Sequence, residues 1–171
     1  DDASAMAVLP DGKILVAGRT IKASMDFALL RYDSNGSLDN SFGSGGIVTT
    51  DFFAGDDTAN AIAVLPDGSI ILAGRASGDF LVARYTANGV LDTGFATGNG
   101  YLLVDPSSAG NNTCHGLAIT PTGKIVLAGN ADFITHTEFT VVQINADGTI
   151  DTDFGGGDGI VTINPGSSTS T

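Results

Sequence analysis

Oxygen-bearing side chains at alternate positions are what a hard cation such as calcium takes as ligands. The stretch Asp33-Ser34-Asn35-Gly36-Ser37-Leu38-Asp39 offers such a set. It lacks the long spacing and the closing glutamate of a full calcium loop. A second copy of the stretch begins at Thr86 and so loses the first carboxylate. Turn chemistry accounts for every copy, so a turn is the preferred reading and calcium is kept as the one candidate cofactor. The run Gly155-Gly156-Gly157-Asp158-Gly159 resembles the glycine-rich nonapeptide calcium repeats in composition. Those repeats recur in tandem, whereas this run does not, so a β-bulge is expected. It also lacks the lysine, the hydroxyl and the following helix of a phosphate loop.

Arg31 and Arg84 precede Asp39 and Asp92 by the same interval, which predicts a charge-assisted pair across a hairpin. The alternative is an arginine site for a carboxylate or a glycan. Where the third copy should repeat the pair it has Gln143 and Asp151, and Asn130 replaces the arginine represented earlier by Arg19 and Arg75. That joint loss marks an end unit or a different environment. His115 and His136 both fall in the third copy, with Cys114 beside one of them. Neighbours on a strand point to opposite faces, so Cys114 and His115 do not readily share an ion. The lone cysteine excludes an intrachain disulfide. It reads first as a small buried side chain, with an intermolecular bridge or a reactive thiol as alternatives. No nucleophile elbow appears, and no carboxylate pair stands out from so acidic a chain. No catalytic, cofactor-binding or metal-ligating residue is assigned, and an enzyme is not expected.

These residues recur because the chain repeats. Pro10-Asp11-Gly12 before Lys-Ile-Leu-Val-Ala-Gly is matched by Pro66-Asp67-Gly68 before Ser-Ile-Ile-Leu-Ala-Gly, and by Pro121-Thr122-Gly123 before Lys-Ile-Val-Leu-Ala-Gly. Asp26-Phe27 and Arg31-Tyr32 are matched by Asp79-Phe80 and Arg84-Tyr85, then by Glu138-Phe139 and Gln143-Ile144. Leu38-Asp39, Leu91-Asp92 and Ile150-Asp151 follow, each leading to a phenylalanine (Phe42, Phe95, Phe154) and a glycine cluster. The repeat boundaries are 1–55, 56–110 and 111–163, with a Ser/Thr-rich linker tail over 164–171.

Each unit predicts four strands. The first runs over 5–9, 61–65 and 116–120, and a Pro-Asp-Gly or Pro-Thr-Gly reversal follows. The second, over 13–17, 70–73 and 124–128, is almost continuously apolar, which predicts burial on both faces. The third is centred on Phe27, Phe80 and Phe139 and ends at Asn35-Gly36, Asn88-Gly89 or Asp147-Gly148, which are hairpin signals. The fourth is interrupted by glycines before Ile47, Tyr101 or Ile160. No helical period is present. The fold class expected is all-β, with three four-stranded β-propeller blades forming a half-propeller or a propeller fragment.

The combined pattern resembles the delta-60 repeat family, over residues 1–163. The motif is Ala-x-x-x-Leu-Pro-Asp-Gly-Lys-Ile-x-x-Ala-Gly, Asp-Phe-x-x-x-Arg-Tyr, then Asn-Gly-x-Leu-Asp-x-x-Phe-Gly-x-Gly-Gly. The resemblance implies tandem β-propeller-type repeats of large, exported bacterial proteins, at the cell surface or outside the cell. It implies no shared catalytic residues.

A chain of 171 residues with 42% apolar residues is long enough to bury a core. Its net charge of −12 argues against nucleic acid and anionic membrane surfaces as partners. No apolar run approaches the roughly 18 residues that cross a bilayer, so membrane insertion is not expected. The chain opens on Asp1 without a basic and apolar leader, as a processed or excised piece would. Propellers close with roughly four to eight blades, so three blades leave two open edges. Those edges call for further repeats of a longer chain, a second copy closing a six-bladed ring, or a stacked assembly. The expected function is a non-enzymatic scaffold, adhesion or binding module. A glycan-binding propeller is the alternative, although the chain has no Trp and only Tyr32, Tyr85 and Tyr101 as tyrosines. An extracellular enzyme carried on the propeller's central face is the third reading.

Overall fold

The computed structural model describes residues 1–21 and 24–166. The first sheet is β1 (Asp2–Val8), β2 (Ile14–Ile21), β3 (Met25–Tyr32) and β4 (Ile47–Thr50). The second is β5 (Thr58–Val64), β6 (Ile70–Ala76), β7 (Asp79–Tyr85) and β8 (Tyr101–Val104). The third is β9 (Thr113–Ile119), β10 (Ile125–Phe133), β11 (His136–Ile144) and β12 (Ile160–Ile163). Each is an antiparallel meander in chain order, the geometry of a propeller blade. β1, β5 and β9 lie against one another on the inner side of the arc. A 3-10 turn at Ala96–Gly98 is the one short helical element among the described residues, and no helix there is long and apolar enough to cross a membrane. Of the tail, residues 167–171 lie outside the described residues.

The local signals act as the residue types require. Leu9 and Gly12 close the first reversal, with the Gly12 amide donating to the Leu9 carbonyl at 2.9 Å. The Lys13 amide donates to Asp11 Oδ1 at 3.1 Å and the Ser69 amide to Asp67 Oδ1 at 2.9 Å. In the third blade Thr122 replaces the aspartate, and Thr120 Oγ1 accepts from the Lys124 amide instead, at 3.0 Å.

The structure corrects the sequence reading in three places. The first strands begin at Asp2, Thr58 and Thr113, because the second strands run on past the apolar stretch and keep pairing with them. The glycine clusters before the fourth strands are positive-φ turns rather than bulges, as at Gly43, Gly45 and Gly46. The bulges lie instead between the first and second strands, where Ser4, Asn60 and His115 are the extra residues in register. Two-faced burial is complete only in the middle blade. Ile70 to Gly74 are all buried, whereas Val16 in β2 is half-buried and Ala128 in β10 is exposed.

That last difference follows from the placement of the core. One cluster joins Leu15, Phe27 and Leu29 of the first blade to Ile70, Leu72 and Tyr85 of the second. The other joins Ile71, Phe80 and Val82 of the second to Ile125, Leu127 and Ile144 of the third. Alternate residues of one strand thus serve opposite neighbours. The core sits between blades, so each end blade has a face with nothing against it.

Candidate functional site

The side chains that suggested chemistry converge at the blade junctions. Arg31 lies near the end of β3, and its Nε donates to Asp39 Oδ2 at 2.7 Å. Its Nη1 crosses to the second blade and donates to the Ala87 carbonyl at 2.6 Å. The guanidinium also covers the Phe42 ring, 4.5 Å from its centroid. The second blade repeats all three contacts. Arg84 Nε donates to Asp92 Oδ2 at 2.7 Å, Nη1 donates to the Ala146 carbonyl at 3.1 Å, and the Phe95 ring lies 4.8 Å from Arg84 Cζ.

Backbone and glycine complete the junction. The Gly43 amide donates to the Asn88 carbonyl at 3.1 Å, and the Ala96 amide to the Asp147 carbonyl at 2.8 Å. Phe42 presses on Gly89, where an added Cβ would lie 2.7 Å from its Cζ, and Phe95 presses on Gly148 with the same 2.7 Å approach to its Cε2. Only glycine leaves room for the ring at these two positions, which also hold a positive φ. Nearer the axis, the bulged Asn60 donates from Nδ2 to the Cys114 carbonyl at 2.9 Å.

Asp39 is the hub of the first junction. Lys13 Nζ reaches it at 2.6 Å and Ser41 Oγ donates to its Oδ1 at 2.6 Å. The Lys13 ammonium above all, then Ser41 and Arg31, holds the Asp39 carboxyl far below the usual carboxylate range. Lys13 is raised in turn by Asp39 and Asp33. In the third blade Lys124 Nζ (2.6 Å) and Gln143 Nε2 (2.5 Å) take the same place on Asp151 and lower its pKa. The stability that Asp39 contributes is therefore present above its ordinary pKa of 3.8 and lost as pH falls below it. Asp39→Asn is expected to lower the melting temperature at pH 7 and to flatten the acid side of the stability profile. Thermal melts across that range check this, and a variant matching wild type at neutral pH removes Asp39 from its role as hub.

The suspected calcium ligands are spent on the same contacts. Asp33 and Asp39 receive Lys13, while Asn35 Oδ1 accepts the Ser37 amide at 2.9 Å and its hydroxyl at 2.7 Å. Among the described residues no group of three or more His, Cys, Asp and Glu side chains is disposed to hold a metal. Cys114 is fully buried, and burial pushes its thiol up to about 12. His115 pairs with Asn130 Oδ1 at 2.6 Å, and His136 stacks on Phe133 and meets Glu138 at 2.9 Å. Of the tyrosines, Tyr85 is buried with its hydroxyl donating to Thr50 Oγ1, and Tyr101 is engaged edge-on by Phe52 and Phe53.

Sequence reasoning finds the Arg–Asp pairs but misses their reach into the next blade. The clue available was that arginine disappears from the third copy, where Gln143 stands at the position of Arg31 and Arg84. The lysines on Asp39 and Asp151 were also missed, although Lys13 and Lys124 recur at one repeat position where Ser69 stands in the second copy.

Three four-stranded meanders stacked through these junctions define an arc of β-propeller. The chain belongs to the family described as "Domain of unknown function (DUF5122) beta-propeller", whose model matches residues 9–42, 65–95 and 120–154. Each matched stretch runs from the reversal after the first strand to the phenylalanine of the junction or its counterpart, and so carries the fastening residues. No curated protein and no solved structure matches the chain.

Proposed function

We propose that the chain is a non-enzymatic β-propeller scaffold or adhesion module of an exported bacterial surface protein, working in assembly with further blades. The observation that carries this reading is the use of its reactive-looking side chains. Arg31, Arg84 and Asn60 tie blade to blade, Asp39 and Asp92 hold the two arginines in place, and the faces left free at both ends carry exposed apolar side chains. Such a molecule contributes surface and connection rather than reaction. The resemblance to delta-60 repeats, the charge of −12 and a single buried cysteine support an extracellular or cell-surface setting. Fractionation of the source cells, followed with an antibody to this chain, tests the setting. Recovery in the envelope or the culture medium is expected, and recovery only in the cytosol would overturn it.

A further inference from the structure

Six of the nine exposed large hydrophobic residues among the described residues gather on two faces, the others being Ile21, Val90 and Ile134. Met6, Val8 and Ile47 lie on the free face of the first blade, and Phe139, Val161 and Ile163 on the free face of the third. The repeat says what ought to cover each. Phe27 and Phe80, the counterparts of Phe139, are 1% and 0% exposed, whereas Phe139 is 69% exposed. Phe80 is covered because it lies over Gly129 of the next blade, where a Cβ would come within 2.8 Å of its Cζ. Likewise Ile62 and Leu117, at the position of Met6, pack into the inter-blade cores, as do Val64 and Ile119 at the position of Val8. Met6 and Val8 themselves are 61% and 62% exposed.

We infer that these two faces are mates, so that two copies of this chain close a six-bladed ring through two identical junctions between blade three and blade one. The inference rests on the scaffold reading and names its partner. Each junction would repeat the two already inside the chain. Phe139 would lie over Gly18 of the second copy, as Phe80 lies over Gly129. Phe154 would lie on Gly36 of the second copy, as Phe42 lies on Gly89, and Gly36 has nothing within 4 Å of an added Cβ. The Gly155 amide would donate to the Asn35 carbonyl of the second copy, as Gly43 donates to Asn88. Propellers close with roughly four to eight blades, and six is the one multiple of three in that range. Rotational pairing of identical subunits is also the commonest closed assembly.

One fastener would be absent. Gln143 stands where Arg31 and Arg84 reach across, and its amide is held by Asp151. The junction between copies is therefore weaker than those within a copy, and the ring parts on dilution before its blades unfold.

Light scattering after size exclusion, over a concentration series, reads this directly. The wild-type chain is expected at twice the chain mass at high concentration and at the chain mass on dilution. Phe139→Glu on one face and Met6→Glu on the other are each expected to give a monomer. Both residues are exposed, so far-UV spectra and melts should stay those of a folded chain. Ile134→Glu, at a loop tip 96% exposed, should leave the dimer intact. A wild-type chain monomeric throughout, a dimer that survives both face substitutions, or a mass that keeps rising with concentration would each overturn the closed ring. None of these results bears on the cell fractionation, which judges the scaffold reading separately.

Discussion

Phe80→Ala is expected to lower folding stability by about 3–5 kcal/mol, the cost of emptying a buried aromatic site. Phe139→Ala, the same change at the same repeat position, is expected to alter the stability of the monomeric chain by less than about 0.5 kcal/mol. Local propensity is comparable for the two, since both lie within the third strand of a blade. The difference is the neighbour. Phe80 is enclosed between the second and third blades among Ile71, Val82, Leu127 and Val142, whereas no blade covers Phe139. Urea melts at concentrations where the chain is monomeric measure both. Equal losses would mean that burial in this fold is decided within a blade, and the account of an inter-blade core would fail.

Asp57→Asn is expected to raise stability at neutral pH, by about 1–3 kcal/mol. Asp57 is fully buried; its Oδ2 accepts the Phe52 amide at 2.9 Å, while Oδ1 has no partner. The next repeat shows how the position is satisfied. Asn112, also fully buried, donates from Nδ2 to Asp79 at 2.9 Å and to Asp105 at 3.1 Å. Their counterparts Asp26 and Asp51 stand near Asp57 as carboxylates, and an asparagine amide would bridge them. Desolvation first, then the charges of Asp51 and Asp26, pushes the Asp57 carboxyl above its ordinary 3.8 in spite of the Phe52 and Phe53 amides that donate to it. A raised pKa favours the folded state at low pH, and that benefit is lost as pH rises through the folded value. The advantage of Asp57→Asn should therefore be largest near neutral pH and shrink on acidification. Paired melts at both pH values check it, and a destabilised variant at neutral pH would show that the buried carboxylate has a partner of its own.

The blades were legible in the sequence because each strand carries its own signal. The Pro-Asp-Gly and Asn-Gly turns, the apolar second strands and the repeated phenylalanines are local, and local chemistry decides them. The Arg31–Asp39 pair was legible for the same reason, since one hairpin brings both residues together. The reach of Arg31 to Ala87, of Asn60 to Cys114 and of Phe80 to Gly129 was not, because each contact joins different repeats. A repeat displays what its members share, whereas the junctions depend on how successive members stack. The same limit hid the end faces. The apolar run in β2 and the run in β6 look alike, and only the stacking shows that one has a bare side.

Hydrogen exchange, followed amide by amide in the wild-type chain and in the Phe139→Glu variant at equal high concentration, locates the mating faces. Slower exchange in the wild type is expected in the first blade (β1 to β4) and the third (β9 to β12). The middle strands β6 and β7, already enclosed on both sides, should exchange alike in the two proteins. Identical exchange throughout, or a change confined to the middle blade, would contradict the assignment of the two open faces as partners.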